Sequence, residues 1–313
     1  MARSAAFERF LSAVTTPVRL TRDSLDEIAG VSAIFDLTGE EREEAELVLI
    51  AKLATYDGRA ATALANVYCY RAIPALIEAT SERAAPTMRV AAARTLFELH
   101  DYSGEPAMIR LLRMHEGTGF NRGAAARLLA EFPNADREIL FEVTSTDPDP
   151  TARSEATRAL ITLVGLDDDQ ARSGEVLRSV SGRLLSSLTT VKTEALAELR
   201  EIIARWEAGE TAEDLGLTWR STNKAIRRLV NSIDSRKANL STHGLDEVTG
   251  RERTLVDNLV LLRLDVDRRA VRAAATLGVH RAVEPMRELR ARTEGHARAE
   301  IESVLDTLTG RSG

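Results

Sequence analysis

Arg220, Lys224, Arg227 and Arg228 are spaced zero, four, seven and eight, which on a helix of about 3.6 residues per turn puts all four side chains on one stripe. Over residues 219–237 six basic residues, these four with Arg236 and Lys237, stand against one acid, Asp234. A row of cations mounted on a helix engages an acidic protein or a phosphate backbone without refolding. It is equally the solvated side of an amphipathic helix. Trp219 adjoins the stripe, and tryptophan and arginine are the residue types enriched at binding hot spots. The opposite pole lies between Asp23 and Glu46, where nine acids (Asp23, Asp26, Glu27, Asp36, Glu40, Glu41, Glu43, Glu44, Glu46) meet Arg42 alone. Acids also gather at helix N-termini for dipole reasons.

The other reactive residue types lack the spacing that chemistry needs. His100, His115, His243, His280 and His296 occur singly, so no pair sets two metal ligands on one helical face. Asp167, Asp168 and Asp169 form an acidic run without a calcium-loop frame. The single cysteine, Cys69, excludes an intramolecular disulfide and a thiolate cluster. It falls at a bend between two helices, where a structural role is expected. Gly117, Gly119 and Gly123 match the looser glycine spacing of a dinucleotide site, but no strand precedes them and no second strand follows. No cofactor, metal or catalytic residue is therefore expected. The aromatic content of 4% leaves little material for a ring-lined cofactor box. The net charge of −6 gives no global pull toward nucleic acid or anionic membrane.

The elements that must carry these residues are helical and repeated. Segments Arg89 to Leu96, Arg122 to Leu129 and Arg153 to Leu160 share one frame: arginine, small residues, a second arginine five positions on, leucine seven positions on. Looser copies are Asp57 to Leu64 and Ala270 to Leu277. The anchors Leu64, Leu96, Leu129 and Leu160 are 32, 33 and 31 residues apart by subtraction, the length of one helical hairpin. Arg71 to Glu78 and Arg281 to Glu288 form a second matched pair that opens the following helix, with proline near its first turn. Turn signals at Tyr56 to Gly58, Gly117 to Gly119 and Asp147 to Pro150 fall between the helices. Thr38 to Glu41 is expected to start the first regular helix through a side-chain cap and an acidic first turn.

Small-residue helices followed by such Arg-Ala-Ile/Val starts resemble HEAT repeats of the short, alanine-rich bacterial kind, best over residues 41–166 and again over 265–293. The resemblance implies an all-α fold, a right-handed α-solenoid of about eight to nine stacked hairpins. The expected organisation is an N-terminal helical cap over 1–40, regular repeats over 41–166, a divergent helical segment with the basic stripe over 167–250, and a C-terminal repeat and cap over 251–313. In the divergent segment, residues 191–206 predict a long helix with Leu196, Leu199, Ile202 and Ile203 on one face. A further helix over about 218–233 turns Ile226, Leu229, Val230 and Ile233 inward.

The function expected of such an array is non-catalytic: a protein partner held on the concave face formed by the second helices. Aligning residues 73–76 with 105–108 places Leu76 over Met108 and Ile77 over Ile109 as buried pairs. Glu78 and Arg110 then share an exposed column, with Ser81 and Arg113 a turn further and Phe141 in the next hairpin. The partner surface is thus expected to comprise Glu78, Arg110, Arg113, Phe141, Trp219, Arg220, Lys224, Arg227 and Arg228. Nucleic acid is the alternative partner through the 219–237 stripe, which the acidic total charge disfavours. Trp206, Asp214 and Trp219 near that stripe share residue types with the HEAT-like alkylpurine DNA glycosylases, the one enzyme alternative. The first twenty residues lack an unbroken apolar core, and no apolar run reaches the roughly twenty residues of a membrane span. A monomeric cytoplasmic protein is expected.

Overall fold

The computed structural model describes residues 3–15, 32–55, 57–166, 175–217, 224–234, 242, 244–245 and 248–310. Among these, the regular structure is helix without strand. Sixteen α-helices are described: α1 (Ala5–Thr15), α2 (Gly39–Leu53), α3 (Gly58–Asn66), α4 (Ile73–Ala79), α5 (Pro86–Glu98), α6 (Glu105–Arg113), α7 (Gly119–Leu129), α8 (Arg137–Thr146), α9 (Pro150–Leu163), α10 (Glu175–Leu184), α11 (Thr189–Glu207), α12 (Lys224–Asp234), α13 (Gly250–Leu261), α14 (Arg268–Leu277), α15 (Val283–Ala291) and α16 (Gly295–Thr309). Two compact units divide at Ile139 and Leu140, inside α8 and inside the stretch read from sequence as regular repeats.

In the first unit α3, α5 and α7 form a row, and α2, α4 and α6 pack against it. The row is built by small residues. Gly58 at the start of α3 would place a methyl group 3.7 Å from the Ala91 Cβ of α5, close van der Waals neighbours. Helices α5 and α7 run parallel: Gly117 meets Pro86 at one end, and Arg94 pairs with Glu131 at 2.6 Å at the other. The rings of Phe97 and Phe132 stand edge to face at 5.4 Å beside that second contact. The anchors Leu64 and Leu96 are fully buried, as the frame requires, and both belong to the core that Phe7, Leu49 and Leu76 also enter.

Helix ends follow local chemistry. Asp57, Asp149 and Asp267 each accept the backbone N–H two residues on and so cap α3, α9 and α14. Thr118 and Asn121 close a reciprocal capping box on α7. The Gly117 to Gly123 spacing is thereby a turn and a close packing position rather than a phosphate cradle. Thr38 departs from expectation: acidic Glu40 and Glu41 fill the first turn of α2, but the threonine side chain makes no capping bond. The Glu41 carboxylate is turned instead to the Ser4 N–H and hydroxyl, both at 2.6 Å, so that α2 caps α1.

In the second unit the neighbours in space are not the neighbours in sequence. Helix α10 packs on α9 and α11 but also on α13, and α11 packs on α15. Gly182 of α10 admits the close approach of Leu262 just after α13, since a methyl group there would lie 2.9 Å from the leucine. Helix α12 turns Ile226, Leu229 and Val230 into the core that Leu188, Val191, Val256 and Leu259 share. Helix α11 confirms the long helix expected over 191–206, with Leu199, Ile202 and Ile203 buried and Leu196 only half-buried.

Candidate functional site

The first arginine of each repeated frame is buried, and its role is internal. Arg89, Arg122 and Arg153 stand at equivalent positions and are 2, 4 and 5% exposed. A buried guanidinium needs acceptors for its donors, and the turns between hairpins supply them to each of the three, the Arg89 Nε excepted. Arg122 donates to the carbonyls of His115 and Gly117 in the turn before its own helix. Arg89 pairs with Glu116 in the turn before the next helix of the frame. Arg153 does both: it donates to Asp147 O at 2.8 Å and Pro148 O at 3.2 Å behind it, and to Leu184 O at 3.0 Å and Leu185 O at 2.8 Å ahead. Burial pulls the Arg153 guanidinium below its ordinary pKa, against the opposing pull of Asp147, Asp149 and Asp265. The arginines of the second matched pair also reach back to earlier helices, but from exposed positions. Arg71 reaches back to Glu46 at 2.9 Å, and Arg281 to Asn258 at 2.9 Å and Glu194 at 2.8 Å.

With the first frame arginines engaged inside, the outward side chains are what a partner meets. Glu78, Arg110 and Arg113 are exposed on α4 and α6 of the first unit. Arg110 pairs with Glu82 in the turn after α4, and Glu78 stands 4.0 Å from Arg83. Leu76 and Met108 are fully buried, as aligned from sequence. Ile77 and Ile109 are not a buried pair: Ile77 is 42% exposed and Ile109 is half-buried, because the short α4 turns only Leu76 and Ala79 inward. Phe141 requires a correction too. Its ring is buried beneath the Arg200 guanidinium of α11, 3.9 Å from the ring centroid, and does not line an open surface.

On α12, Lys224, Arg227 and Arg228 are exposed on the side opposite Ile226, Leu229 and Val230. Trp219, Arg220, Arg236 and Lys237 lie outside the described residues, as do Tyr56 and the acidic run at Asp167 to Asp169. Trp206 donates its indole N–H to Val164 O at 3.0 Å. Asp214 accepts from the Thr211 hydroxyl at 2.6 Å and the Thr211 N–H at 3.0 Å, which hold its carboxyl below the usual range. Asp214 thereby closes a turn after α11, while Trp206 ties that helix back to the end of α9. Cys69 is buried and donates to Glu46 at 3.3 Å, and burial pushes its thiol up. Among the described residues no three His, Cys, Asp or Glu side chains come together as a metal site. No described helix is long and apolar enough to cross a membrane.

Sequence reasoning missed an exposed aromatic edge on the first unit. Tyr68 and Tyr70 lie in the turn between α3 and α4, and His100 and Tyr102 in the turn between α5 and α6. The tyrosines are 64, 55 and 44% exposed in chain order. Tyr68 and His100 both take left-handed backbone conformations, φ +52° and +61°, where the equivalent turns after α9 and α14 use Gly165 and Gly278. A side chain in that conformation costs roughly 1 kcal/mol or more. The signal was present in the sequence, since Tyr68 and His100, like Tyr70 and Tyr102, are 32 residues apart by subtraction.

The class these observations define is an all-helical protein whose hairpins are joined by buried arginines. No protein-family model matches the chain, and comparison with curated proteins and with solved structures finds no similar one.

Proposed function

We propose that this chain is a HEAT-like α-solenoid that acts as a binding module without catalytic chemistry and holds a protein partner on the face presented by the second helices of its hairpins. One observation carries the reading: equivalent positions are alike inside and different outside. Arg89, Arg122 and Arg153 are all buried and all bonded to a turn between hairpins, whereas Tyr68, His100, Gly165 and Gly278 occupy one equivalent turn position. Stacking explains the first set alone. The second set varies as a surface does when it is shaped to a particular partner. The partner-binding residues are Glu78, Arg110 and Arg113 on one unit and Lys224, Arg227 and Arg228 on the other, together with Trp219 and Arg220 from the sequence reading. Phe141 is withdrawn from that set because it is buried. The module acts as a monomer in the cytoplasm.

The test is capture of the partner from the native host by crosslinking, followed by calorimetry with the purified pair. Reversing charge at Arg110 and Arg113, or at Lys224 and Arg228, is expected to weaken binding at least tenfold while the helical circular dichroism stays unchanged. Unchanged affinity in both variants removes these surfaces from the account. Tight binding of duplex DNA at physiological salt, with a steep salt dependence, would replace the protein partner by a nucleic acid.

A further inference from the structure

The aromatic edge of the first unit continues into the acidic helix beside it. Arg42 of α2 donates to Val67 O at 3.3 Å, and Arg71 donates to Glu43 O at 2.7 Å, so the Tyr68–Tyr70 turn is seated directly on α2. Glu40, Glu43 and Leu47 are spaced zero, three and seven and are all exposed, which makes them one outward face of that helix. Leu47 is 57% exposed and adds apolar area to that face.

Among the described residues, the charge left without an ion pair on this edge is negative. Glu46 is held by Arg42 at 2.8 Å and Arg71 at 2.9 Å, Glu44 by Arg3 at 2.8 Å, and Glu41 by Ser4. The nearby cations are thereby consumed, and Glu40 and Glu43 form no ion pair among the described residues. Exposed tyrosine faces beside uncompensated carboxylates match one cation in particular. The guanidinium group is planar, stacks on an aromatic face, and pairs bidentately with a carboxylate, whereas an ammonium is a hydrated point charge. The left-handed backbone at Tyr68 points the same way. A glycine would be cheaper there, and no ring or cation contact within the described residues engages the Tyr68 ring, so the strain is retained without an internal return.

We propose that the edge formed by Glu40, Glu43, Leu47, Tyr68 and Tyr70 is the docking site for an arginine-bearing segment of a protein partner. The inference rests on the binding-module reading above and assigns the partner's chemistry. Guanidinium groups stack on Tyr68 and Tyr70 and pair with Glu40 and Glu43, while an aliphatic side chain of the segment covers Leu47. A phosphate backbone is repelled by the same carboxylates.

The experiment uses the full chain and two fluorescein-labelled decapeptides of equal charge, one carrying four arginines among alanine and leucine, the other four lysines. Fluorescence anisotropy is expected to show at least tenfold tighter binding of the arginine peptide. Tyr68→Ala with Tyr70→Ala should collapse that preference to about twofold, and Tyr68→Phe with Tyr70→Phe should keep it, because the ring faces remain. Glu40→Gln with Glu43→Gln should weaken both peptides about tenfold and flatten the salt dependence. Equal binding of the two peptides by the native chain overturns the proposal, as does a preference that survives loss of both rings. Self-association in sedimentation equilibrium that Lys224→Glu with Arg228→Glu abolishes also overturns it, by assigning the edge to α12 of a second copy. The peptides read this edge alone. A captured native partner that binds the double alanine variant undiminished sinks this inference and leaves the binding module standing.

Discussion

Contacts in the first unit are made mostly between helices adjacent or next-but-one along the chain, such as α3 with α5 and α5 with α7. The second unit closes over much longer distances. Asp265 accepts from the Ser187 N–H at 2.6 Å and the Ser186 hydroxyl at 3.1 Å, and Glu288 accepts from the N–H groups of Thr189 and Thr190 at 2.8 and 3.1 Å. Arg292 donates to Ser187 O at 3.0 Å. Two carboxylates and a guanidinium some 80 to 105 residues away thus tie down the α10–α11 corner. The lesson is that one repeat chemistry supports two kinds of assembly. Where each hairpin only covers its neighbour, a sequence period suffices; where the chain returns on itself, polar groups at helix ends fix the return.

The largest effect that would break this comparison is expected at Arg153. Arg153→Ala leaves the carbonyls of the buried residues Asp147 and Leu184 without their donor and should cost roughly 3 kcal/mol, against about 0–1 kcal/mol for Arg94→Ala, whose ion pair with Glu131 is partly exposed. Both tryptophans lie in the second unit, so urea unfolding followed by their fluorescence reports that unit, and circular dichroism reports both. Equal losses for the two variants would deny the buried arginines their structural role.

Next in size is a pair of glycines. A methyl group at Gly104 would sit 2.7 Å from Ala93 Cβ and 2.8 Å from its Cα, with backbone that cannot yield. Gly104→Ala should therefore destabilise the first unit by about 1–3 kcal/mol. Gly209→Ala, at φ +93° with open space around it, should cost about 1 kcal/mol from backbone strain alone. Circular dichroism melts that rank the two the other way would mean that α5 and α6 are not closely packed.

Glu288→Gln separates the units by pH. Burial raises the Glu288 carboxyl, but the N–H groups of Thr189 and Thr190 with Arg292 outweigh it and hold the value below the usual 4.5. A carboxylate whose folded pKa is depressed stabilises the fold at pH above about 4.5, and this contribution is lost as pH falls through the lowered value. The substitution should cost about 1 kcal/mol at neutral pH, and its tryptophan-detected stability should fall less than that of the native chain between neutrality and low pH. Parallel pH profiles would remove the cap from the return of the second unit.

The smallest effect is expected at Tyr68. Tyr68→Gly relieves the left-handed backbone while adding freedom to the unfolded chain, so the melting temperature should rise only slightly, by the equivalent of a few tenths of a kcal/mol. A clear destabilisation would show that the exposed ring supports the fold, and would sharpen the contrast between Tyr68 and the glycine at its equivalent, Gly278.

The legibility of the chain follows the range of its interactions. Leu64, Leu96, Leu129 and Leu160 and the small residues around them state the helical hairpin directly, because a helix's buried face is set by local spacing. The outward stripe of Lys224, Arg227 and Arg228 was legible for the same reason. Arg89, Arg122 and Arg153 were legible as a pattern but not as a function, since nothing in their spacing says that carbonyls of a neighbouring turn receive them. Phe141 and Ile77 exchanged roles for a related reason. An apolar side chain is buried only if something covers it, and Arg200 covers Phe141 from a helix nearly sixty residues away while nothing covers Ile77.

By itself the sequence determined that this protein is helical, where its hairpins turn, and the buried leucines of the repeated frame, all of which depend on residues within about one repeat of one another. Only the tertiary structure decided that Arg89, Arg122 and Arg153 are internal, that α10 meets α13 and α11 meets α15, and that tyrosines and carboxylates from α2 and the α3–α4 turn share one edge. The physical reason is that charge, strain and burial become functional only through the groups brought against them, and those groups are chosen by packing across many residues rather than by period.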